Sequence, residues 1–245
     1  MIQGFFEAVQ FLTVCSITNT KKYNIKNIKT GLIFFPVVGL LLGLILAGIN
    51  QLLRFYVDQR LFTAAIVVFA LVILTRGIHL DGLADTFDGI IGGWDTKSRL
   101  NIMRDPHIGV WGILSLLGVI LFKIIALSTL PETQLNISII LSCIISRFVL
   151  IFVMKTFPYA RTKGKAKVFY DGIKPRVFYT TLIISLALSF LIGSFKGIML
   201  LASSMIFAYI AGKYISKKIG GVTGDTLGAI SELTEVLVLM MITII

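Results

Sequence analysis

With 245 residues, 56% of them apolar and only 14% charged, the chain is too apolar for a soluble domain, which carries about 45–50% apolar and about 25% charged residues. It reads as an integral membrane protein. The net charge of +11, from 23 Lys and Arg against 12 Asp and Glu, must be tested against membrane topology before nucleic acid is entertained. Cys15 and Cys143, neither in a CxxC pair, exclude a disulfide framework and a cysteine-based zinc site.

Residues 3–17 are too short and too mixed to span a bilayer. Phe5, Phe6, Val9 and Leu12 share a helical face, so an N-terminal interfacial helix is expected. No cleavable signal peptide is expected, because Glu7 and Gln10 interrupt this stretch and no basic residue precedes it. A membrane-spanning helix needs roughly 20 apolar residues. Seven segments qualify: about 31–52, 61–80, 108–130, 137–157, 177–195, 197–212 and 227–245. The second is apolar only from Leu61 to Leu74, before Thr75 and Arg76, and the sixth is short and carries Ser203 and Ser204. The predicted fold is an all-α polytopic membrane bundle of about seven helices, forming one domain over 1–245.

The N-terminal segment and the loops 76–107, 155–176 and 213–226 hold 18 of the 23 basic residues, whereas the opposite loops hold Arg54, Arg60 and Lys196. The positive-inside rule places the N-terminus and the basic loops in the cytoplasm and the C-terminus outside the cell membrane. Most of the +11 is therefore a topology signal. The densest run, 161–176, either orients the chain against anionic lipid or holds a phosphate-bearing substrate. It lacks the interleaved aromatics that read single strands, so nucleic acid is not an expected partner.

Eight of the 12 carboxylates lie in two places, 81–105 and 225–235. In HLDGLADTFDG (79–89), Asp81, Asp85 and Asp88 fall within about 60° of one another on a helix. Three like charges on one stripe repel unless a cation sits among them. Oxygen ligands without a His or Cys cluster suit Mg²⁺, which one or two carboxylates hold together with substrate phosphates. The bland alternative is a solvated acidic face. His79 lies on the opposite helical face from Asp81 and is not expected to be a ligand, and His107 reads as a loop residue. Arg99 and Arg104 either meet phosphate oxygens or serve the positive-inside bias alone. Trp94 and Trp111 read as interface aromatics.

The second place, GGVTGDTLGAISELTEVLVLM (220–240), opens with Gly220, Gly221 and Gly224, which allow close backbone approach at a helix N-terminus. Either a phosphate or metal-phosphate sits there, or Thr223 or Asp225 merely caps the last helix. No GxxxxGK[ST] is present, so no Walker loop is expected. Glu232 and Glu235 lie inside a span, where carboxylates are costly and face the bundle interior. Asp225 and Glu235 stand about 15 Å apart along the helix, so the three acids cannot share one ion. The depth of Arg147 in its own span matches Glu235, and Lys123, deeper still, is a candidate partner of Glu232. Pairing and direct chemistry are both open for these residues. Together the carboxylates, glycines and arginines are the ingredients of Mg²⁺-assisted phosphoryl transfer.

HLDGLADTFDG (79–89), IMRDPHIG (102–109) and GGVTGDTLGA followed by two Glu (220–235) resemble the cobalamin synthase family, adenosylcobinamide-GDP ribazoletransferase. Phe11-Leu12-Thr13, Pro36, Lys123, Arg147 and Tyr159-Ala160-Arg161 also fall where that family's pattern has such residues, nearly the whole chain being covered in order. The resemblance implies a Mg²⁺-dependent transfer of a substituted phosphate group, joining adenosylcobinamide-GDP to α-ribazole or its 5′-phosphate. A ribose 3′-hydroxyl would attack the phosphorus on the cobinamide arm, and GMP would leave. It implies Asp81, Asp85, Asp88 and Asp225 as metal ligands, with Asp81 central, and Asp88, Asp105 or Glu232 as acceptor of the hydroxyl proton. Arg104, Lys123, Arg147, Arg161, Gly221, Thr223, Gly224 and Glu235 are its expected substrate contacts. The implied partners are the corrinoid-GDP and α-ribazole substrates, the lipid bilayer, and either a second copy of the chain or other cobalamin-assembly enzymes. A fainter similarity runs to the CDP-alcohol phosphotransferases, although Asp85 stands near where their motif has Arg. A transporter is the rival from another class; it would show internal repeats and a midplane site, and no repeat is found.

Overall fold

The computed structural model describes residues 2–16, 29–162, 164, 166–170 and 172–244. Lys21, Lys22 and Lys26 of the N-terminal basic segment, and Lys163 and Lys165 of the 161–176 run, lie outside the described residues. In chain order come α1 (Ile2–Leu12), a 3-10 turn (Leu32–Phe34), α2 (Phe35–Tyr56), α3 (Arg60–Leu74), α4 (Ile78–Gly92) and α5 (Thr96–Ile102). Then follow α6 (Val110–Thr129), α7 (Glu132–Thr156), the single turn α8 (Lys167–Tyr170), α9 (Pro175–Ile219) and α10 (Gly224–Met241). Among the described residues there is no strand, only a parallel bridge between Tyr159 and Val222.

The chain is a polytopic membrane helix bundle. Among the described residues four helical stretches are long and apolar enough to cross a bilayer, Lys29–Tyr56, α6, α7 and α9, with a fifth if α3 and α4 form one broken span. This differs from the seven segments expected, for physical reasons. The second segment does not run on to residue 80: Arg76 (φ 55°) and Gly77 (φ 61°) both turn left-handed, and α4 leaves α3 at 91°. The fifth and sixth segments lie within α9, which is broken at Ser194 (φ 51°, ψ −139°). A Cβ on Gly197 would stand 2.0 Å from the Ser189 carbonyl oxygen, whereas a straight helix would separate these residues by about 12 Å. The two arms of α9 therefore fold back on each other. The last segment, α10, begins with Asp225 and carries Glu232 and Glu235.

At the centre stands α7, 83% buried over its apolar window. Pairing with α2 depends on Gly39 and Gly43, four residues apart, which let two backbones approach as small residues do in membrane helix pairs. A Cβ on Gly39 would lie 2.4 Å from the Cys143 carbonyl oxygen, and one on Gly43 would lie 2.6 Å from the Ile140 Cα. Both obstacles are main chain and cannot rotate away. Gly39→Leu is therefore expected to lower stability by about 1–3 kcal/mol, read as a reduced Tm of the detergent-solubilised protein. At the other end of α2, Arg54 pairs with Glu132, and the Asn50 amide donates to Asn136 at 2.8 Å. Leu117, Leu121 and Ile125 leave an exposed apolar stripe on α6, the kind of face that lipid covers.

The N-terminal helix buries Gly4, Glu7, Ala8, Val9 and Leu12, while Phe5 and Phe6 are only partly buried. This shifts the expected face, because α1 packs on the bundle: a Cβ on Gly31 would lie 2.7 Å from the Gly4 carbonyl oxygen. The end of α1 is also tied to the α3–α4 bend. Val14 donates its amide to the Leu74 carbonyl at 2.7 Å, and the Arg76 guanidinium donates to the Gln10 carbonyl at 2.8 Å. Cys15 and Cys143 are both free thiols.

Candidate active site

The two acidic motifs, far apart in the chain, cross main chain to main chain. A Cβ on Gly82 would stand 2.6 Å from the Asp225 carbonyl oxygen, and one on Gly228 would stand 3.0 Å from that of His79. At Gly82 only glycine permits this approach, and at Gly228 a side chain would require the facing backbone to yield by a few tenths of an ångström. Asp81 lies in the first turn of α4 and Asp225 in the first turn of α10, where the positive end of each helix dipole favours a carboxylate.

The crossing opens into a cavity of about 250 Å³, lined on its polar side by His79, Asp81, Gly82, Gly224, Asp225 and Gly228. Its apolar side is formed by Phe11, Phe35, Leu150, Met154 and Phe169 from four other elements. Sequence reasoning put His79 on the face away from Asp81. In the structure both line the cavity, because α4 is wrapped by α10 and the bundle instead of facing one partner. His79 is 5% exposed, and its Nδ1 is buried without a hydrogen-bond partner among the described residues. Phe169 carried no sequence signal; it is brought to the cavity by a single helical turn in a loop.

Asp225 is ion-paired with Arg161 at 3.0 Å and accepts from the Thr223 hydroxyl at 3.3 Å. Thr223 caps α10 in a reciprocal pair with Thr226. Arg161 is placed by the short pairing of 158–160 with Val222, whose amide donates to the Pro158 carbonyl while Ala160 donates back, both at 2.9 Å. Gly221 (φ 156°) makes room for this, since a Cβ there would meet the Pro158 carbonyl oxygen at 2.4 Å. Gly221 is thus packed against the loop, and Gly224 is the glycine that lines the cavity. Burial pushes the Tyr159 phenol up from its usual range, against the pull of Arg161 and Arg104. Arg104 itself is exposed.

Other expected site residues stand elsewhere. Asp85, one turn beyond Asp81, is half-buried within electrostatic reach of Asp225, Asp81 and Arg161. Asp88 does not line the cavity: its two oxygens accept the Gly109 and Gly112 amides at 2.7 and 2.8 Å, at the start of α6. Asp88→Ala is expected to loosen that helix end by about 1–2 kcal/mol, checked by the Tm of the variant. Asp105 is exposed and bonded to the amide and ring of His107, which hold its carboxyl below the usual carboxylate range. Arg99 donates to the Lys218 carbonyl at 3.2 Å, docking α5 on the end of α9.

Beneath the cavity floor Lys123, Arg147, Glu232 and Glu235 form a buried cluster, none more than 5% exposed. Lys123 donates to Glu232 at 2.6 Å and also to Glu235. Arg147 donates to Glu235 and, at 2.7 Å, to the Ser146 hydroxyl. Both expected pairings, Arg147 with Glu235 and Lys123 with Glu232, are present, with Glu235 shared by both cations. Two positive and two negative charges balance in the bundle interior.

Among the described residues, no group of three or more His, Cys, Asp or Glu side chains is gathered to hold a metal. The donors at the cavity are carboxylate oxygens of Asp81 and Asp225, with Asp85 nearby. That set fits a hard cation such as Mg²⁺, which takes one or two carboxylates and completes its shell with water and phosphate. It does not fit a closed nitrogen–sulfur site.

The chain matches the family described as cobalamin-5-phosphate synthase over residues 4–243. It is 39% identical to the adenosylcobinamide-GDP ribazoletransferase of Chlorobium phaeobacteroides (strain BS1), covering 97% of this chain and 96% of that protein. It is 35% identical to the protein of the same name from Caldanaerobacter subterraneus subsp. tengcongensis, over 96% of each. A third so named, from Roseiflexus sp. (strain RS-1), is 32% identical over 97% of this chain and 88% of its own length. No solved structure matches. With nearly its full length aligned and both acidic motifs meeting at one cavity, the chain belongs to the cobalamin-5-phosphate synthase family.

Proposed function

We propose that this chain joins adenosylcobinamide-GDP to α-ribazole, or to its 5′-phosphate, forming adenosylcobalamin or its phosphate and GMP. The family match and the relatives' names support the reaction. The structural observation that carries it is the glycine-locked crossing, which sets Asp81 and Asp225 on the rim of one cavity. In the transfer a bond forms between the ribose 3′-oxygen and the phosphorus on the cobinamide arm. The bond from that phosphorus to the oxygen of GMP breaks, and the hydroxyl proton is lost.

Asp81 and Asp225 would hold Mg²⁺, which when bound neutralises charge on the diphosphate and the leaving group. Arg161, steadied by Asp225, offers a guanidinium to the same phosphates. Asp88 and Glu232 already serve α6 and Lys123, so we assign the hydroxyl proton to neither. We place the cavity on the cytoplasmic side of the cell membrane, with the N-terminus inside and the C-terminus outside. The basic residues Lys155 in the last turn of α7, Arg161 paired with Asp225, and Lys217 and Lys218 in the last turn of α9 support that orientation.

The test is direct. Purified protein in detergent or liposomes is given adenosylcobinamide-GDP, α-ribazole and Mg²⁺, and GMP is followed. Release dependent on both organic substrates is expected; folded protein that releases none would remove the proposal.

A further inference from the structure

A second cavity, of about 270 Å³, lies apart from the aspartates, between α4, α9 and α10. Phe87 and Ile91 come from α4, Ala211, Tyr214 and Ile215 from α9, and Leu233 from α10. The hydroxyl of Thr86, also at its wall, is spent on the Gly82 carbonyl at 2.6 Å, so the lining offers a ligand little but hydrocarbon. Ile91 and Tyr214 are exposed, and Ile210 and Ile206 continue the exposed apolar surface one and two turns back along α9. The cavity is thus a groove that opens on an apolar face of a helix long enough to cross a bilayer.

The groove has a charged end. Ala211, Tyr214, Ile215 and Lys218 are spaced i, i+3, i+4, i+7 and share one face of α9. The Lys218 ammonium stands 5.6 Å from the centroid of the Tyr214 ring, within the range of a cation–π contact. Lys213 and Lys217 lie in the same stretch of α9, and among the described residues none of the three lysines has an acidic partner. The main chain there is fixed, since the Lys218 carbonyl accepts from the Thr96 hydroxyl and the Arg99 guanidinium, both at 3.2 Å. A cation at the mouth of a hydrocarbon slot complements an anion with a hydrocarbon tail. A second copy of the chain would bring little to these lysines, because eight of its 12 carboxylates lie in the two acidic motifs. A cavity of about 150 Å³ accepts the six carbons of benzene, so about 270 Å³ takes roughly ten methylenes of one acyl chain.

We infer that this groove binds one anionic phospholipid from the leaflet on the side of the active-site cavity, with an acyl chain between α4 and α9 and the phosphate at Lys218. The helix α4 carries Asp81 and Asp85, and α9 leads into the 220–225 turn before Asp225. The lipid therefore braces both acidic motifs from outside the cavity they line. Its binding does not depend on which reaction the cavity performs.

The full chain purified in mild detergent is titrated with phosphatidylglycerol, and retained lipid is measured by native mass spectrometry. Phosphatidylcholine with the same acyl chains is the neutral comparison, and glycerol 3-phosphate supplies a headgroup anion without chains. Phosphatidylglycerol is expected to bind about fivefold more tightly than phosphatidylcholine, the worth of one basic side chain at an anionic headgroup. Lys218→Gln should remove that preference, whereas the same change at the exposed Lys155, in the last turn of α7, should keep it. Ala211→Leu, which fills the groove, should weaken both lipids about tenfold or more, because several methylenes lose their seat. If Ala211→Leu does not fold, the comparison of the Lys218 and Lys155 variants still decides. Equal loss of preference in both lysine variants overturns the inference, since the basic surface as a whole would then be responsible. Full competition by glycerol 3-phosphate also overturns it, leaving a phosphate site without a lipid. Dimers that Ala211→Leu dissolves, with no lipid retained by wild-type protein, would give the groove to a second copy instead.

Discussion

Replacing Asp81 with alanine is expected to lower GMP release by a factor on the order of 10²–10³ or more while the protein stays folded. The carboxylate is exposed at the cavity rim and makes no ion pair among the described residues. Its removal therefore leaves no buried charge stranded, and alanine is a good residue for the first turn of α4. What is lost is negative charge at the point where the diphosphate must be held. Activity and Tm of Asp81→Ala should part company: turnover collapses and the melting temperature stays near wild type. A variant that turns over like wild type would contradict the role given to this residue. Asp225→Asn should be costly for a second reason, since it also releases Arg161 from its 3.0 Å partner.

The buried cluster should behave in the opposite way. Glu235→Gln is expected to destabilise the protein by about 3–5 kcal/mol, because it leaves Arg147 charged in a closed space. Nε and Nη2 of Arg147 have no partner, so Glu235 is the anion its guanidinium relies on among the described residues. Arg147→Met should cost less, as Glu235 keeps Lys123. The Arg147→Met/Glu235→Gln double variant is expected to be more stable than the sum of the single losses, with a coupling of about 0.5–3 kcal/mol. Thermal unfolding of all four proteins in one detergent provides the cycle. Strict additivity would mean that the contact contributes nothing specific.

Much of this was readable from residue type and spacing. Composition gave the membrane class, and carboxylates crowded into two short motifs marked the site. Helix rise matched Arg147 to Glu235, because charges at equal depth in a bundle have few other partners; Lys123 lies deeper by the same rise, and its contact with Glu232 depends on how α6 packs against α10. The hidden parts depend on tertiary geometry. The left-handed Arg76 that bends α4 away from α3 is not a residue type that announces a turn, and the sequence showed only an apolar run ending before Thr75 and Arg76. Asp88 looked like a third ligand on one stripe. Its amide partners, Gly109 and Gly112, come from another helix, and no local pattern predicts that. His79 was judged by helical face, an argument that presumes one buried side; α4 is contacted on several.

The crossing of α4 and α10 has a consequence for how this sequence can change. What stands opposite Gly82 and Gly228 is peptide backbone, the carbonyls of Asp225 and His79, which every amino acid carries. A side chain added at either glycine therefore cannot be accommodated by trimming its neighbour. Second-site revertants of Gly82 or Gly228 variants should not be found on the facing helix; recovery would require restoring the glycine itself.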